Sequence, residues 1–551
     1  MKWNIILALL LLTSLFLRTY KLGEVPNSLQ ADEASFVLNS EALLETGRDE
    51  DGVAFPLVLA SLQDSKPALY SYIQAPFFAI LGVSTFSSRL PSAILGVFSI
   101  YLGYLLILRL STQKKWSVLF AFLLTISPWH IVNSRATQEV ILSFVFLQLT
   151  CLASIGVINW MNKAKARWDE LPRKDCILFF VFALLSMYTY HASKVFIIMF
   201  YTAIIFSNFF LKLNWETAKK SMIILLMLGL TFALTMIPAV TRFNAISILS
   251  NDLPKAQIFE YTTKSTPYTN HFFIRLFYNK PVFYTQLFLK NYLAHFDPNY
   301  YFVNGGVTKR FMIPSHGLFY GIELPLMLLG LTFILRVQKS SRLSLYWLFF
   351  LLASPIAAGL TTEEIPSSIR AFYLVIPLLV LVVLGVVQIS SIKSRILRRT
   401  LLSCVCAVYV WSFGYFVQQY FIASILLKPI YRSRHYEIAA RKIKDIEADY
   451  TTIVVTDDLR EMYIYLWLNN VLHISDIQDQ PMARYTYEYS LGKFHFNRGH
   501  CDMTGSTPNT LIVSTSQCSF SENKNVTILE EINFEDGTPA LRFFQERNNL
   551  P

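Results

Sequence analysis

Residues 140–160, VILSFVFLQLTCLASIGVINW, contain no charged side chain, and they decide the class of this chain. At about 1.5 Å per helical residue the stretch spans the roughly 30 Å of hydrocarbon in a bilayer. Working outward with the same ruler places spans at Trp3–Leu17, Ser92–Leu110, Trp116–Ile131, Val140–Trp160, Cys176–Tyr190 and Val195–Leu211. Further spans are expected at Ser221–Val240, Leu318–Leu335, Leu343–Leu360, Ala371–Ile389 and Leu401–Leu426, about eleven in all. The composition agrees: 54% of residues are hydrophobic and 15% charged, with a mean hydropathy of +0.41. A soluble protein carries about one quarter charged residues, so the bilayer is the main solvent.

The net charge of +11 does not point to nucleic acid, because the Lys and Arg residues fall in short loops between apolar runs. With Lys2 inside, the inner loops hold Lys114-Lys115, then Lys163 to Lys174, Lys212 to Lys220, Arg336 to Arg342 and Lys393 to Arg399. Cytoplasmic loops are basic, so this alternation fixes the expected orientation. Pro67–Leu81 would invert every later loop if it spanned; its length and its polar Ser71, Tyr72 and Gln74 predict a helix at the interface. The start, Met1 to Leu17, lacks a cleavage site and is expected to stay as the first helix.

The polar tail 431–551 alternates strand-like runs (Thr452–Val455, Thr510–Ser514, Val526–Glu530, Ala540–Phe544) with an amphipathic stretch, Leu459–Leu468. It predicts a small extracytoplasmic α/β domain following a transmembrane domain over 1–430, whose long outer loops are 18–91 and 241–317. An odd number of spans with the N-terminus inside requires that placement. Of six cysteines, Cys501 and Cys518 alone lie in a polar region, placed to form one disulfide if their compartment is oxidising. Asn525-Val526-Thr527 is an outward-facing glycosylation sequon.

Most of the unusual polar residues fall on the outer face. The first outer loop holds Asp32, Glu33, Asp64, Lys66 and Arg89; later ones hold Arg135, Glu139, His191, Lys194, His295, Asp297 and Arg370. A charge near the membrane centre costs at least about 2.5 kcal/mol, so acids and bases gathered on one face mark a site more often than a random scatter would.

The ordered series Arg18-Thr-Tyr-Lys-Leu-Gly, Ala31-Asp32-Glu33-Ala34, Lys66-Pro67, Phe86-Ser-Ser-Arg89-Leu-Pro91, Ser127-Pro-Trp-His130, Tyr190-His191 and His295-Phe-Asp-Pro298 resembles the GT-C glycosyltransferases. Within them it is similar to the protein O-mannosyltransferases (glycosyltransferase family 39) and the aminoarabinose transferases, in patches from Trp3 to Leu426. The resemblance implies a polytopic α-helical GT-C fold and a sugar donor on polyprenyl phosphate, either dolichyl- or undecaprenyl-linked. It implies inverting transfer to an acceptor on a protein, lipid or glycan. Asp32 matches the family's catalytic Asp and is the expected base, with Glu33 beside it to orient the loop or the acceptor.

An alcohol needs such a base, and a leaving phosphate needs cations. Lys66 matches a phosphate-contacting lysine of the aminoarabinose transferases; Arg89, Arg135 and Arg370 are further candidates for the donor phosphate. Glu139, His191, His295, Asp297 and Asp64 are candidates for positioning acceptor, sugar or metal. The tyrosines at 300 and 301 are expected in an interfacial aromatic belt. The cofactor stays open: Asp64 with one of the histidines is compatible with a divalent metal and does not require it, and Ser65 stands where the aminoarabinose transferases have a Glu. The expected setting is a multi-pass protein of a plasma membrane, a prokaryotic one being favoured, with its active site extracytoplasmic. Two other classes fit the composition: a flippase or transporter of a lipid-linked or anionic precursor, and a non-catalytic envelope assembly protein.

Overall fold

The computed structural model describes residues 2–62, 64–162, 168–211, 215–236, 246–250, 252–268, 270–307, 309–337, 342–424, 433–456, 459, 461–480, 486–497, 501, 509–518 and 526–546. The chain forms two compact units, one of residues 1–20, 92–135 and 139–419, the other of residues 21–91, 136–138 and 420–551. Segment 21–91 thus belongs to one unit with the C-terminal α/β domain.

The first unit is helical. It begins with α1 (Lys2–Thr19) and takes in most of α4 (Thr85–Ser111), then α5 (Lys114–Ile126), α6 (Pro128–Ser134) and α7 (Glu139–Asn162). Among the described residues five helices are long and apolar enough to cross a membrane: Lys2–Thr19, Thr85–Ser111, Glu139–Met161, Phe372–Ser390 and Arg395–Ala423. The bent pair α5–α6 makes a sixth if counted as one span. That is fewer than the eleven expected. The runs expected at 176–190, 318–335 and 343–360 form helices Arg173–Thr189, Glu323–Val337 and Arg342–Ala353, of 17, 15 and 12 residues. The last stops before Pro355, which cannot continue a helical ladder. The run expected at 195–211 lies within helix His191–Leu211, and part of the run at 221–240 lies outside the described residues.

The 61° bend between α5 and α6 has a local cause. Ser127 precedes Pro128, which pushes it out of the helical region (φ −59°, ψ 120°). The carbonyls freed at the end of α5 find side-chain donors: Arg18 reaches Leu124 O and Thr125 O at 3.4 Å each, and the Tyr320 hydroxyl reaches Ile126 O at 2.6 Å. Buried backbone groups without partners are costly, so these bonds are what lets an apolar span break. Elsewhere in the unit, helices Glu323–Val337 and Val375–Ser390 cross at two glycines. A Cβ on Gly330 would lie 2.0 Å from Leu381 O and one on Gly385 2.2 Å from Leu326 O, the close backbone approach that small residues permit between membrane helices.

The second unit contains α2 (Ala31–Thr46), the antiparallel pair β1 (Val58–Ser61) and β2 (Asp64–Pro67), and α3 (Leu69–Leu81). Helix α3 has 13 residues, about 20 Å, too short to cross a bilayer. The tail supplies β3 (Thr452–Thr456), β4 (Glu488–Leu491), β5 (Phe494–Asn497), β6 (Thr510–Thr515), β7 (Val526–Asn533) and β8 (Pro539–Glu546). They form one mixed sheet in the order β4-β5-β3-β6-β8-β7, with β3 parallel to β5 and β6 and the other pairs antiparallel. Val455, Leu511, Val513 and Phe543 of the sheet join Ala439 and Ile443 of helix Arg434–Ile446 and Ile464 and Leu466 of helix Met462–Leu468 in one core. Ala34, Val37, Leu38 and Ala42 of α2 belong to that same core. Cys501 and Cys518 are joined by a disulfide. The sequon residue Asn525 lies outside the described residues.

Candidate active site around the first turn of α2

Helix α2 starts at Ala31 because Gln30 caps it and Glu33, three residues on, returns a carboxylate oxygen to the Gln30 N–H at 3.2 Å, a capping box. Asp32 therefore sits in the first turn, where the helix dipole favours negative charge. Its carboxylate meets Lys66 Nζ of β2 at 2.9 Å. The two side chains differ in access: Lys66 is 7% exposed and Asp32 36%. Lys66 Nζ also donates to Ser35 Oγ at 2.8 Å and lies 5.2 Å from the centre of the Phe36 ring. An ammonium with two oxygen partners and an aromatic neighbour is thus held behind a carboxylate that faces outward.

Glu33 has a different environment. Its carboxylate is gripped by Arg89, Nε to Oε1 and Nη2 to Oε2 at 3.0 Å each, and also accepts from Thr137 N at 2.8 Å. Arg89, fully buried, donates further to the carbonyls of Leu22, Pro26 and Ser28 at 3.2, 2.7 and 2.7 Å. A guanidinium has five N–H donors, and all five are in use. Arg89, expected at the donor phosphate, has none left for it, and Glu33, expected beside the reaction, is locked into the fold.

The remaining candidates belong to the helical unit, except Asp64, whose side chain lies outside the described residues. Arg135 is buried and donates to Leu17 O at 2.9 Å. Arg370 is half-buried and bonds the Glu363 carbonyl. It shares an electrostatic neighbourhood with Glu139, Glu364 and Tyr373 around the buried Tyr190 hydroxyl. One turn past Tyr190, Lys194 Nζ stands 3.4 Å from His191 Nδ1.

His295 is buried, with Nδ1 against Asn291 O at 2.8 Å and Nε2 accepting from Ser367 N at 2.9 Å. Burial lowers its pKa to about 4, so it is neutral, a proton on Nδ1 and none on Nε2. With both nitrogens bound to backbone it ties the helix Lys280–Ala294 to the 363–370 loop and cannot position a sugar or ligate a metal in this arrangement. Asp297 is exposed and caps a turn through Asn299 N at 2.9 Å. Tyr300 and Tyr301 are not belt residues. They are 1% and 5% exposed and pack with their ring centres 6.2 Å from Trp129, which needs aromatic neighbours at the bend. Among the described residues no three His, Cys, Asp or Glu side chains converge as a metal-binding group.

Reasoning from sequence missed Ser35 and Thr137. Ser35, three residues after Asp32, was findable from helical spacing; Thr137 acts through its backbone N–H and left no signal.

Residues 65–241 match the family model for dolichyl-phosphate-mannose-protein mannosyltransferase, a segment that starts next to Lys66 and leaves Asp32 outside. No curated protein matches the chain. Among solved structures it is similar to ArnT from Cupriavidus metallidurans bound to undecaprenyl phosphate, with 11% identity, 98% of this chain and 97% of that one covered, and a TM-score of 0.51. It is also similar to the archaeal oligosaccharyltransferase AglB from Archaeoglobus fulgidus in complex with an inhibitory peptide and a dolichol-phosphate, with 12% identity, 93% and 69% covered, and a TM-score of 0.51. Residues 65–241 of this multi-pass integral membrane protein are thus similar to the dolichyl-phosphate-mannose-protein mannosyltransferase family, and its fold is similar to those of ArnT and AglB.

Proposed function

We propose that the protein transfers a sugar from a polyprenyl-phosphate donor to an acceptor hydroxyl on the extracytoplasmic side, with inversion, and that Asp32 is the general base. The observation that carries this reading is the ion pair of a partly exposed Asp32 with a buried Lys66 at 2.9 Å. A base must be reachable by an incoming hydroxyl, and a phosphate ligand must keep its charge where little water competes.

In the reaction the acceptor O–H gives its proton to the Asp32 carboxylate as its oxygen attacks the anomeric carbon opposite the phosphate. The bond from that carbon to the phosphate oxygen breaks, and the electron pair leaves with the polyprenyl phosphate. Lys66 neutralises the charge that develops there. In the resting protein the same ammonium neutralises Asp32 instead, so a donor phosphate that draws Lys66 away also unmasks the base.

The lipids in the similar solved structures, undecaprenyl phosphate with ArnT and dolichol-phosphate with AglB, support a donor of that class, and the peptide with AglB supports an acceptor presented outside the bilayer. The basic loops support an N-terminus inside and about eleven crossings, some by short or broken helices.

The test uses the purified full-length protein with radiolabelled dolichyl-phosphate-mannose and undecaprenyl-phosphate sugars and a panel of protein, lipid and glycan acceptors. Transfer by wild type and its loss in Asp32→Asn, by a factor on the order of 10² to 10⁴, are expected. Transfer that survives the substitution would overturn the assignment. Reporter fusions after Lys174 and after Arg370 should fall on opposite sides of the membrane.

A further inference from the structure

The tail makes several polar contacts with the segment that carries Asp32. Tyr465, on the helix Met462–Leu468, is 1% exposed, and its hydroxyl donates to Leu29 O at 2.8 Å, one residue before the N-cap of α2. Its ring stacks on Tyr436 of the helix Arg434–Ile446, centres 5.3 Å apart and planes 11° from parallel. Asn27 Nδ2 bonds Glu535 Oε1 at 2.8 Å. At the far end of α2, Tyr463 OH donates to Glu50 Oε2 at 3.0 Å, and Gln478 Nε2 to Asp49 O and Thr46 Oγ1 at 2.8 and 3.0 Å. Between these two sets of bonds the apolar face of α2 packs into the core of the tail.

We propose that the C-terminal α/β domain is the positioning element of the transferase site, and that Tyr465 is its positioning residue: it fixes the backbone just ahead of Asp32 and thereby the direction of the carboxylate. This rests on the role of Asp32 proposed above. Helix α2 enters its first turn from an irregular segment, 21–30, which has no ladder of its own to hold it. The Glu33–Arg89 pair secures one side of that turn; the chain that enters it is held by the same guanidinium at Leu22, Pro26 and Ser28 and by the Tyr465 hydroxyl at Leu29, the residue next to the cap. A base displaced by 1 Å loses most of its advantage, so a hydroxyl remote from the substrate can control turnover without touching it.

The experiment compares Tyr465→Phe with wild type in the full-length protein, since Phe keeps the ring stack and removes only the hydroxyl. Hydrogen exchange needs no substrate: amides of residues 31–35 should exchange about fivefold faster, while those of β3 and β6 keep their protection. Gln478→Ala should instead loosen residues 46–50 and leave 31–35 unchanged. With dolichyl-phosphate-mannose or undecaprenyl-phosphate sugar as donor, kcat should fall about fivefold at unchanged donor KM. In an Asp32→Asn background Tyr465→Phe should have no further effect, because it acts through Asp32. Unchanged exchange at 31–35, or a loss of protection across the whole sheet, would overturn the positioning role. If exchange changes as stated while Asp32→Asn transfers normally, the tail still positions α2 and the base assignment alone fails.

Discussion

Two adjacent carboxylates in the first turn of α2 have opposite surroundings. On one side Asp32 pairs with the Lys66 ammonium and a third of its side chain is open. On the other, Glu33 is 2% exposed and takes a bidentate guanidinium plus two backbone N–H groups, while the guanidinium takes three carbonyls. In the function proposed above the first pair is exchangeable, because either partner has another use when substrate arrives. The second is saturated and gains nothing by opening. Burial with full hydrogen bonding makes an ion pair structural, whereas partial exposure leaves it open to exchange.

The largest effects should separate the two sides outright. Arg89→Met leaves Glu33 buried without its cation and should destabilise the protein by about 3 to 5 kcal/mol, seen as lost yield and a lower Tm in detergent. Asp32→Asn should leave Tm within a few degrees and remove transfer. Equal thermal losses for the two would erase the distinction. Next, Lys66→Met removes a charge-assisted contact to the donor phosphate and should raise donor KM by one to two orders of magnitude, about 1.5 to 3 kcal/mol. Ser35→Ala deletes one of the two oxygen partners of Lys66, worth about 1 kcal/mol, and a donor KM shifted less than tenfold is expected.

The smallest effect concerns His435, whose pKa burial lowers to about 4. Its folded form stays neutral where the unfolded chain, titrating near 6.5, takes up a proton. Its contribution is therefore full above about pH 6.5 and fades as the pH falls toward 4. His435→Phe should flatten the acid side of the Tm profile of the full-length protein.

Much of this contrast could be seen in the sequence, and its limits have physical causes. Strands β3, β6, β7 and β8 follow from short strand-like runs, and the structure extends each expected run by three residues or fewer. Strands β4 and β5, four residues each around Gly492-Lys493, are too short to show a period. Asp32 and Lys66 stood out by chemistry and by resemblance. The lock on Glu33 did not, because Arg89 lies 56 residues away and the other partners are backbone groups, which any residue could supply. His295 was misjudged for the same reason: both of its partners are main-chain atoms. The break at Ser127-Pro128 inside the expected span 116–131 was not legible, since hydropathy does not register which carbonyls Arg18 and Tyr320 satisfy.

The unit that carries Asp32 is assembled from three separate lengths of chain, 21–91, 136–138 and 420–551. During synthesis the first of these leaves the ribosome long before the last, and the core that seats α2 is completed only when the tail has emerged and folded. A nascent chain stalled anywhere before residue 420 therefore holds Asp32 on an unfinished platform. The site proposed here is complete only once the final segment has folded.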